Sequence, residues 1–387
     1  MHMRMRQSSP PVFRPRVERF AERIEDPVVR LRFLRAPPPA AWKLGSVMRL
    51  LLLLSLPPAV LVSFFLVRAA AHVEPPGLPA PRIEPAAAAQ ARPPAGVWEV
   101  ENSGEAETYS NGLRIDKHFA VSNHRRSYRA FPADLPESDA GPWRSEPVGI
   151  VFHTTESRQA PFEAEQNRAL QRIGESLLEY VRRKQAYNFL IDRFGRVFRV
   201  VVEDHAANHA GYSVWSDEKW VYLNLNESFL GVSFEALTLP AQFGADLTTA
   251  QVRAAAMLTE MLRGRYGIPA ANCVTHAQVS VNPSNMRMGY HTDWASGFPF
   301  AQLGLPDNYA RASPALWAFG FEFDPGFPHL VETGVYRGVE LAEDSLRKNA
   351  AEFGLAPAAY RKMLRKRYRE RLAEVRRAHA GEGDGSE

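Results

Sequence analysis

A chain of 387 residues exceeds the usual size of one domain, so its length predicts one sizeable domain with accessory segments. Its composition, 45% hydrophobic and 23% charged, is ordinary for a globular protein, and its single cysteine excludes an internal disulfide. The net charge of +4 comes largely from the two ends of the chain, which favours a membrane surface or another polyanion over nucleic acid as their partner.

The first segments of the chain predict a membrane-associated N-terminus. Residues 1–49 contain eleven Lys or Arg against four acidic residues, and we expect a basic, disordered cytoplasmic tail. Residues 50–67 carry no charge over 18 positions, the lower limit for a transmembrane helix. The same stretch also fits a signal sequence, since Ala69–Ala71 supplies small residues for cleavage. An uncleaved anchor is our preferred interpretation, and both place the remainder outside the cytoplasmic membrane.

Two segments lead from this apolar stretch to the main domain. Residues 68–97 are rich in proline and alanine and predict a semi-extended linker. Residues 98–147 contain short alternating runs, such as Gly112–Asp116 and Tyr128–Pro132, which predict a small β lead-in of one or two strands.

The main domain, residues 148–305, is predicted to alternate strands and helices. Val148–His153 is an apolar run that ends in a polar cluster, as a buried strand does at a sheet edge. Helical spacing predicts a helix over Phe162–Gln185 whose apolar face carries Ala169, Ile173, Leu177, Tyr180 and Val181. The elements that follow are a hairpin of Tyr187–Ile191 and Val197–Val202 turning at Gly195, a strand over Phe229–Leu237, a helix from Thr248 to Arg265 with a Thr248/Gln251 capping box, and a strand from Val274 into His276. The expected fold class is α/β, with a mixed central β-sheet flanked by helices.

Residues 306–387 are predicted to be a C-terminal extension. Two helices, over Val339–Phe353 and Ala358–Ala378, precede a polar tail. The second helix is basic, and packing, membrane contact and protein docking are all open for it.

Candidate site residues concentrate in the loop Cys273–Phe300, which contains His276, His291 and Asp293 among turn-forming residues. A further histidine, His153, lies at the end of the first buried strand. Catalytic zinc is typically held by three histidine or carboxylate ligands, and His153, His276 and Asp293 fit that pattern. The sequence therefore predicts a Zn²⁺ site.

Five segments resemble, in order, those of the zinc-dependent N-acetylmuramoyl-L-alanine amidases of the type 2 amidase and peptidoglycan-recognition-protein superfamily. They are G-I-V-F-H-T-T (149–155), A-Y-N-F-L-I-D-R-F-G-R-V-F (186–198), N-H-A-G-Y-S (208–213), F-L-G-V-S-F-E-A (229–236) and V-T-H-A-Q-V (274–279). The resemblance implies that 148–305 is a zinc amidase domain that cleaves the amide between N-acetylmuramoyl and L-alanine in peptidoglycan. It also implies a bacterial protein, and with the apolar segment 50–67 this places the domain in the periplasm, either anchored to the inner membrane or secreted.

The resemblance also assigns the metal ligands and one catalytic residue. His153 and His276 match the first two zinc ligands of the family, and Asp293 matches the third. His291 stands where the family has a lysine that stabilises charge on the attacked carbonyl oxygen. Histidine can do this as an imidazolium or as a neutral N–H donor.

Two more roles follow from the same segments. Tyr187 matches the tyrosine that positions the attacking water in part of the family. Other members use a glutamate where this chain has Ser233, so Tyr187 is the preferred catalytic candidate and Glu235 has a supporting role. His209 matches a histidine that lines the substrate groove.

Two departures leave alternatives open. Asp293 follows His276 by 17 positions, longer than is usual in the family, so His291 is an alternative third ligand. This chain has His291 where the family has lysine, and this replacement affects the expected catalytic rate more than metal binding. A peptidoglycan-binding module without turnover, and an amide hydrolase acting on another acyl-peptide, are the competing functions.

Overall fold

A computed structural model describes residues 96–133, 138–238, 245–323 and 334–382. The predicted cytoplasmic tail, the apolar segment 50–67 and nearly all of the linker lie outside these residues. Among the helices within them, none combines the length and the apolar composition that crossing a membrane requires.

The described residues form fourteen strands and seven α-helices. The strands are β1 (Glu99–Asn102), β2 (Ala106–Tyr109), β3 (Arg114–Asp116), β4 (Phe131–Pro132), β5 (Gly149–Thr154), β6 (Phe189–Ile191), β7 (Val197–Arg199), β8 (Val214–Ser216), β9 (Trp220–Leu223), β10 (Phe229–Phe234), β11 (Cys273–Thr275), β12 (Val281–Asn282), β13 (Arg287–Met288) and β14 (Glu322–Phe323). The helices are α1 (Asn167–Lys184), α2 (Leu225–Ser228), α3 (Thr249–Tyr266), α4 (His276–Val279), α5 (Pro314–Phe319), α6 (Gly334–Glu352) and α7 (Pro357–Glu382).

An eight-stranded central sheet has the order β1-β2-β3-β7-β6-β10-β5-β11. Its middle strands β6, β10, β5 and β11 pair in parallel, whereas β1 with β2, β2 with β3, and β6 with β7 pair antiparallel. This mixed sheet with its flanking helices confirms the predicted α/β class. Two three-stranded sheets, β12-β13-β14 and β4-β9-β8, complete the strand arrangement.

Helices α1 and α3 cover opposite faces of the central sheet. Leu177 and Val181 of α1 cluster with Leu190 of β6, whereas Leu258 of α3 clusters with Phe189 of the same strand. Successive side chains of a strand point to opposite faces, so each helix packs on one side of β6.

Both predicted helices of the main domain form, with one correction to the first. Leu177 and Val181 of the predicted face are buried, but half of the Tyr180 side chain is exposed, because the buried face of α1 includes Leu178 instead. The capping box is confirmed, since the backbone N–H of Gln251 donates to Thr248 Oγ1 at 3.1 Å.

The segments before and after the main domain join its structure. Four strands form in the lead-in where one or two were expected, and β3 pairs with β7 with Ile115 opposite Val197. At the other end of the chain, Phe319 and Tyr368 of α5 and α7 belong to the same buried cluster as the sheet. Residues from all three predicted segments therefore share one core.

Candidate metal centre

Strand β5 delivers His153 to the sheet face that α1 covers. Phe152 points into the cluster shared with α3, so the next residue points to the opposite face. His153 is 1% exposed, and burial lowers its pKa to about 4. A neutral imidazole with a lone pair on one nitrogen is the form that binds metals.

His276 reaches the same place because β11 pairs in parallel with β5. Thr275 lies opposite Phe152, and His276 follows as the first residue of α4. The His153 and His276 ring centroids are consequently 4.4 Å apart.

Asp293 returns to this position because the residues between it and His276 form a hairpin. Strands β12 and β13 pair antiparallel, and Gly289 N–H donates to Ser280 O at 3.1 Å. The N–H of His291 donates to Ser280 Oγ at 3.0 Å, and Ala277 N–H donates to the carbonyl of Asp293 at 3.2 Å. The 17-position separation is therefore accommodated without displacing Asp293 from the site.

His153, His276 and Asp293 form a buried cluster with one candidate ligand atom each, and these atoms lie within 4.8 Å of one another. Asp293 Oδ1 is 2.9 Å from His276 Nδ1, and Oδ2 is 3.3 Å from His153 Nδ1. Burial by itself would raise the pKa of Asp293, but the adjacent His276 imidazole lowers that pKa well below its usual range. Two imidazole nitrogens and one carboxylate match the three-ligand set of catalytic zinc sites.

His291 lies beside this cluster and is not one of its members. Its ring stacks on His276, with centroids 4.3 Å apart and an interplanar angle of 21°, while part of the residue is exposed. The geometry therefore favours Asp293 over His291 as the third ligand. The catalytic role of His291 stays a prediction.

Tyr187 lies on the other side of His153, with ring centroids 5.1 Å apart. Its φ of 61° is left-handed, which is rare for a bulky residue and concentrates at functional sites. Burial raises its pKa, so the phenol is protonated at neutral pH.

Ser233, the residue at the position of the family's glutamate, lies opposite His153 in the pairing of β10 with β5. Its hydroxyl is buried next to the Tyr187 phenol, and a hydrogen bond between the two lowers the pKa of Tyr187, although the larger effect of burial raises it. Glu235, two residues later, accepts a hydrogen bond from Arg193 N–H at 3.2 Å, in keeping with a supporting role.

His209 contacts the cluster from behind His153. Its Nδ1 is 3.1 Å from His153 Nε2, and its Nε2 is 3.2 Å from Phe229 O. Gly231 makes room for this ring, since a Cβ there would lie 2.7 Å from His209 Cγ. With both ring nitrogens engaged within the protein, the predicted substrate contact of His209 would use its carbon atoms.

An open groove of about 440 Å³ runs beside Tyr187. Its lining residues are Thr155, Leu177, Tyr180, Val181, Lys184, Ala186, Tyr187 and Asn208. Thr155 follows His153 by two positions, so the groove adjoins the cluster and offers space for an extended ligand.

One residue at the site was not identified from the sequence. Arg126 in the lead-in is 1% exposed and donates to backbone carbonyls around Phe229. Arg125 and Arg126 form an arginine pair in a polar segment, and such a pair in a sequence indicates a solvated surface. Only the folded chain shows that Arg126 is buried.

One comparison with known protein families matches the segment that contains the cluster. A family model described as N-acetylmuramoyl-L-alanine amidase matches residues 143–293. No curated protein matches the chain.

Three solved structures are similar to parts of the chain. The amidase AmiD from E. coli, in complex with an anhydro-N-acetylmuramic acid peptide, is 24% identical with a TM-score of 0.31, over 41% of this chain and 56% of that one. AmpDH3 from Pseudomonas aeruginosa, in complex with an anhydromuramic pentapeptide, is 19% identical with a TM-score of 0.32, over 57% and 73%. The amidase LysC from Clostridium intestinale URNW is 18% identical with a TM-score of 0.24, over 48% and 93%. The chain thus spans little more than half of the length of AmiD.

Proposed function

We propose that this chain is a zinc-dependent peptidoglycan amidase, since a family model described as N-acetylmuramoyl-L-alanine amidase matches residues 143–293. It would hydrolyse the amide bond between the N-acetylmuramoyl group and L-alanine. The observation that supports this most directly is the burial of His153, His276 and Asp293 with their ligand atoms within 4.8 Å of one another.

In this proposal the three clustered residues hold the metal. His153 and His276 would each bind through Nδ1, the atom that faces the Asp293 carboxylate. Zinc supplies Lewis-acid chemistry, since it polarises carbonyl groups and acidifies water.

The neighbouring side chains would act on the substrate and on water. Tyr187 would orient the attacking water through its protonated phenol, next to His153. His291 would donate a ring N–H to the carbonyl oxygen as negative charge develops there. The groove beside Tyr187 would receive an extended part of the substrate.

We further propose that residues 50–67 anchor the chain in the inner membrane of a bacterium, with the amidase domain in the periplasm. The uncharged stretch and the arginine excess before it support this placement. Protease treatment of spheroplasts should degrade the domain while the protein stays in the membrane fraction. Recovery of a shortened chain in the medium would favour the secreted alternative, and full protection would overturn both.

The activity is tested by digesting purified peptidoglycan with the full-length chain in mild detergent. Mass spectrometry should detect free stem peptides that begin with L-alanine. A chelator should abolish their release, added zinc should restore it, and His153→Ala should release none.

Two results would redirect the proposal. Binding of muropeptides with zinc present and no cleavage would favour a recognition module without turnover. Inactivity on peptidoglycan with cleavage of another acyl-peptide would favour the related amide hydrolase.

A further inference from the structure

Arg126 joins two loops next to the cluster, although it lies before the segment that matches the family. Its guanidinium donates to carbonyl oxygens at 2.6 to 3.1 Å, and these belong to Glu203, His205, Asn226, Glu227 and Phe229. Arginine has five N–H donors in a planar fork, and lysine cannot reproduce this arrangement. Arg126 therefore ties the loop before His209 to the start of β10.

Both loops hold His209 in place. Arg126 Nη1 and His209 Nε2 share one acceptor, Phe229 O, at 2.9 and 3.2 Å. In addition, Asn226 Oδ1 accepts the backbone N–H of His209 at 2.9 Å. The position of the His209 ring thus depends on residues that Arg126 binds.

The hydrogen bonds of His209 determine which nitrogen of His153 is free. A carbonyl oxygen only accepts, so His209 Nε2 must donate to Phe229 O. A neutral His209 then accepts at Nδ1, and His153 Nε2 must be the donor. The lone pair of neutral His153 is left on Nδ1, the atom 3.3 Å from Asp293 Oδ2.

We propose that Arg126 and His209 form a positioning relay that orients His153 and selects the tautomer with Nδ1 free for metal. The lead-in before the family match is then a functional part of the metal site. Partners of this kind behind a ligand histidine typically change metal affinity by about 10- to 100-fold. The relay rests on the proposed metal site, and the experiments below distinguish a failure of the relay from a failure of the metal site.

The test measures zinc dissociation constants of the full-length chain by competition with a chelating dye. His209→Phe keeps a ring over Gly231 but loses both hydrogen bonds, so we expect about 10- to 100-fold weaker zinc binding. His209→Gln should recover most of the affinity, because its amide can accept from His153 and donate to Phe229 O. Equal affinity in His209→Phe and the unaltered chain would overturn the relay, and so would equal losses in both variants.

The contribution of Arg126 is tested with a matched pair. Arg126→Lys should weaken zinc binding, whereas Arg129→Lys should leave it unchanged. Arg129 lies in the same segment and also donates to backbone carbonyls, at Gly141 and Ala140, but it does not reach the loop of His209. If Arg126→Lys folds and binds zinc with unchanged affinity, Arg126 does not belong to the relay. If Arg126→Lys does not fold, the His209 variants still test the relay.

Nitrogen NMR of the histidines in metal-free protein gives a readout that does not depend on zinc. His153 should carry its proton on Nε2 in the unaltered chain, and should become a mixture of tautomers in His209→Phe. A proton on Nδ1 in the unaltered chain would overturn the relay. The expected tautomer without any zinc binding would instead overturn the proposed cofactor.

Discussion

Asp293 shows how the cluster depends on charge. A buried carboxylate is costly unless it is paired, and here the two imidazoles of His153 and His276 lie within 3.3 Å of its oxygens. The His276 imidazole lowers the pKa of Asp293 well below its usual range, despite burial. The carboxylate is thus held in the ionised form that a divalent cation requires.

Asp293→Asn and His291→Ala together distinguish the two candidates for the third ligand. Asn removes the negative charge, so zinc affinity should fall by more than about 100-fold, beyond the effect of a residue that only supports a ligand. His291→Ala should keep zinc and lose turnover, by about 100-fold or more if its N–H stabilises the oxyanion. Zinc content by mass spectrometry and kcat on muropeptides measure both effects. The opposite pattern would make His291 the ligand.

Tyr187→Phe should separate turnover from metal binding. The ring that packs on His153 is preserved and only the hydroxyl is lost. We expect kcat to fall by about 100-fold, the lower part of the range for a group that handles protons, with zinc content unchanged. Tyr266→Phe, at the end of α3 on the opposite face of the sheet, is the matched control. An unaltered kcat in Tyr187→Phe would exclude its catalytic role.

At the scale of elements, the hairpin β12–β13 belongs with the C-terminal extension. Strand β13 pairs in parallel with β14, with Met288 opposite Phe323, and Ser313 Oγ contacts Met288 Sδ at 3.4 Å. Met288 is 1% exposed. The long connection between the two ligands is therefore an ordered element that packs against the chain's C-terminal part.

A buried ion pair joins the lead-in to the main domain. Arg199 of β7 donates to both carboxylate oxygens of Glu107 on β2, at 2.6 and 2.9 Å, and to Glu203 Oε1 at 2.9 Å. Burial tends to raise the pKa of Glu107, but hydrogen bonds from Arg199 and Tyr109 lower it to about 2. The native state therefore favours the ionised carboxylate.

Glu107→Gln should weaken the fold in a pH-dependent way. Since the pKa falls from 4.5 in the unfolded chain to about 2, ionised Glu107 contributes about 3 kcal/mol at neutral pH. That contribution is present above pH 4.5 and is lost as the pH falls toward 2. Urea unfolding should show the variant less stable at pH 7, with the difference shrinking in acid. Glu105→Gln, at an exposed position nearby, should match the unaltered chain; a constant difference across pH would contradict this account.

At the scale of the whole molecule, the C-terminal extension supports the strand that leads to His276. Asn308 Nδ2 donates to Ala270 O at 2.8 Å and to Cys273 O at 2.7 Å, and Asn308 O accepts from Gln278 Nε2 at 2.9 Å. Tyr309 also donates to Trp294 O, next to Asp293, at 2.6 Å. Removing the extension would leave these buried groups without partners.

A chain ending at Leu305 should therefore lose cooperative unfolding and metal binding, as judged by circular dichroism on heating and by zinc content.

A milder change, Asn308→Ala, should lower the free energy of unfolding by about 2 to 4 kcal/mol, because buried carbonyls lose their donors. Asn285→Ala, at an exposed hairpin position, is the control. A truncated chain that unfolds cooperatively with full zinc content would show that 148–305 is autonomous.

Much of this architecture follows from local patterns. Apolar runs and turn residues predicted β5, the β6–β7 hairpin and α3 with its capping box, because periodicity and capping act over a few neighbouring residues. The motif segments also identified His153 and His276, and the loop Cys273–Phe300 supplied Asp293; the fold brings their ligand atoms within 4.8 Å of one another.

Contacts between distant segments were decided only by the tertiary structure. The amphipathic pattern placed Tyr180 on the buried face of α1, but packing against β6 selected the face with Leu178. Nothing local marks Arg126 as buried, because its acceptors lie 77 to 103 positions away and belong to two other loops. Residue types and spacing thus determine which side chains can bind a metal. The pairing of β5 with β11 and the β12–β13 hairpin determine that these side chains meet, since only strand pairing sets the register between remote segments.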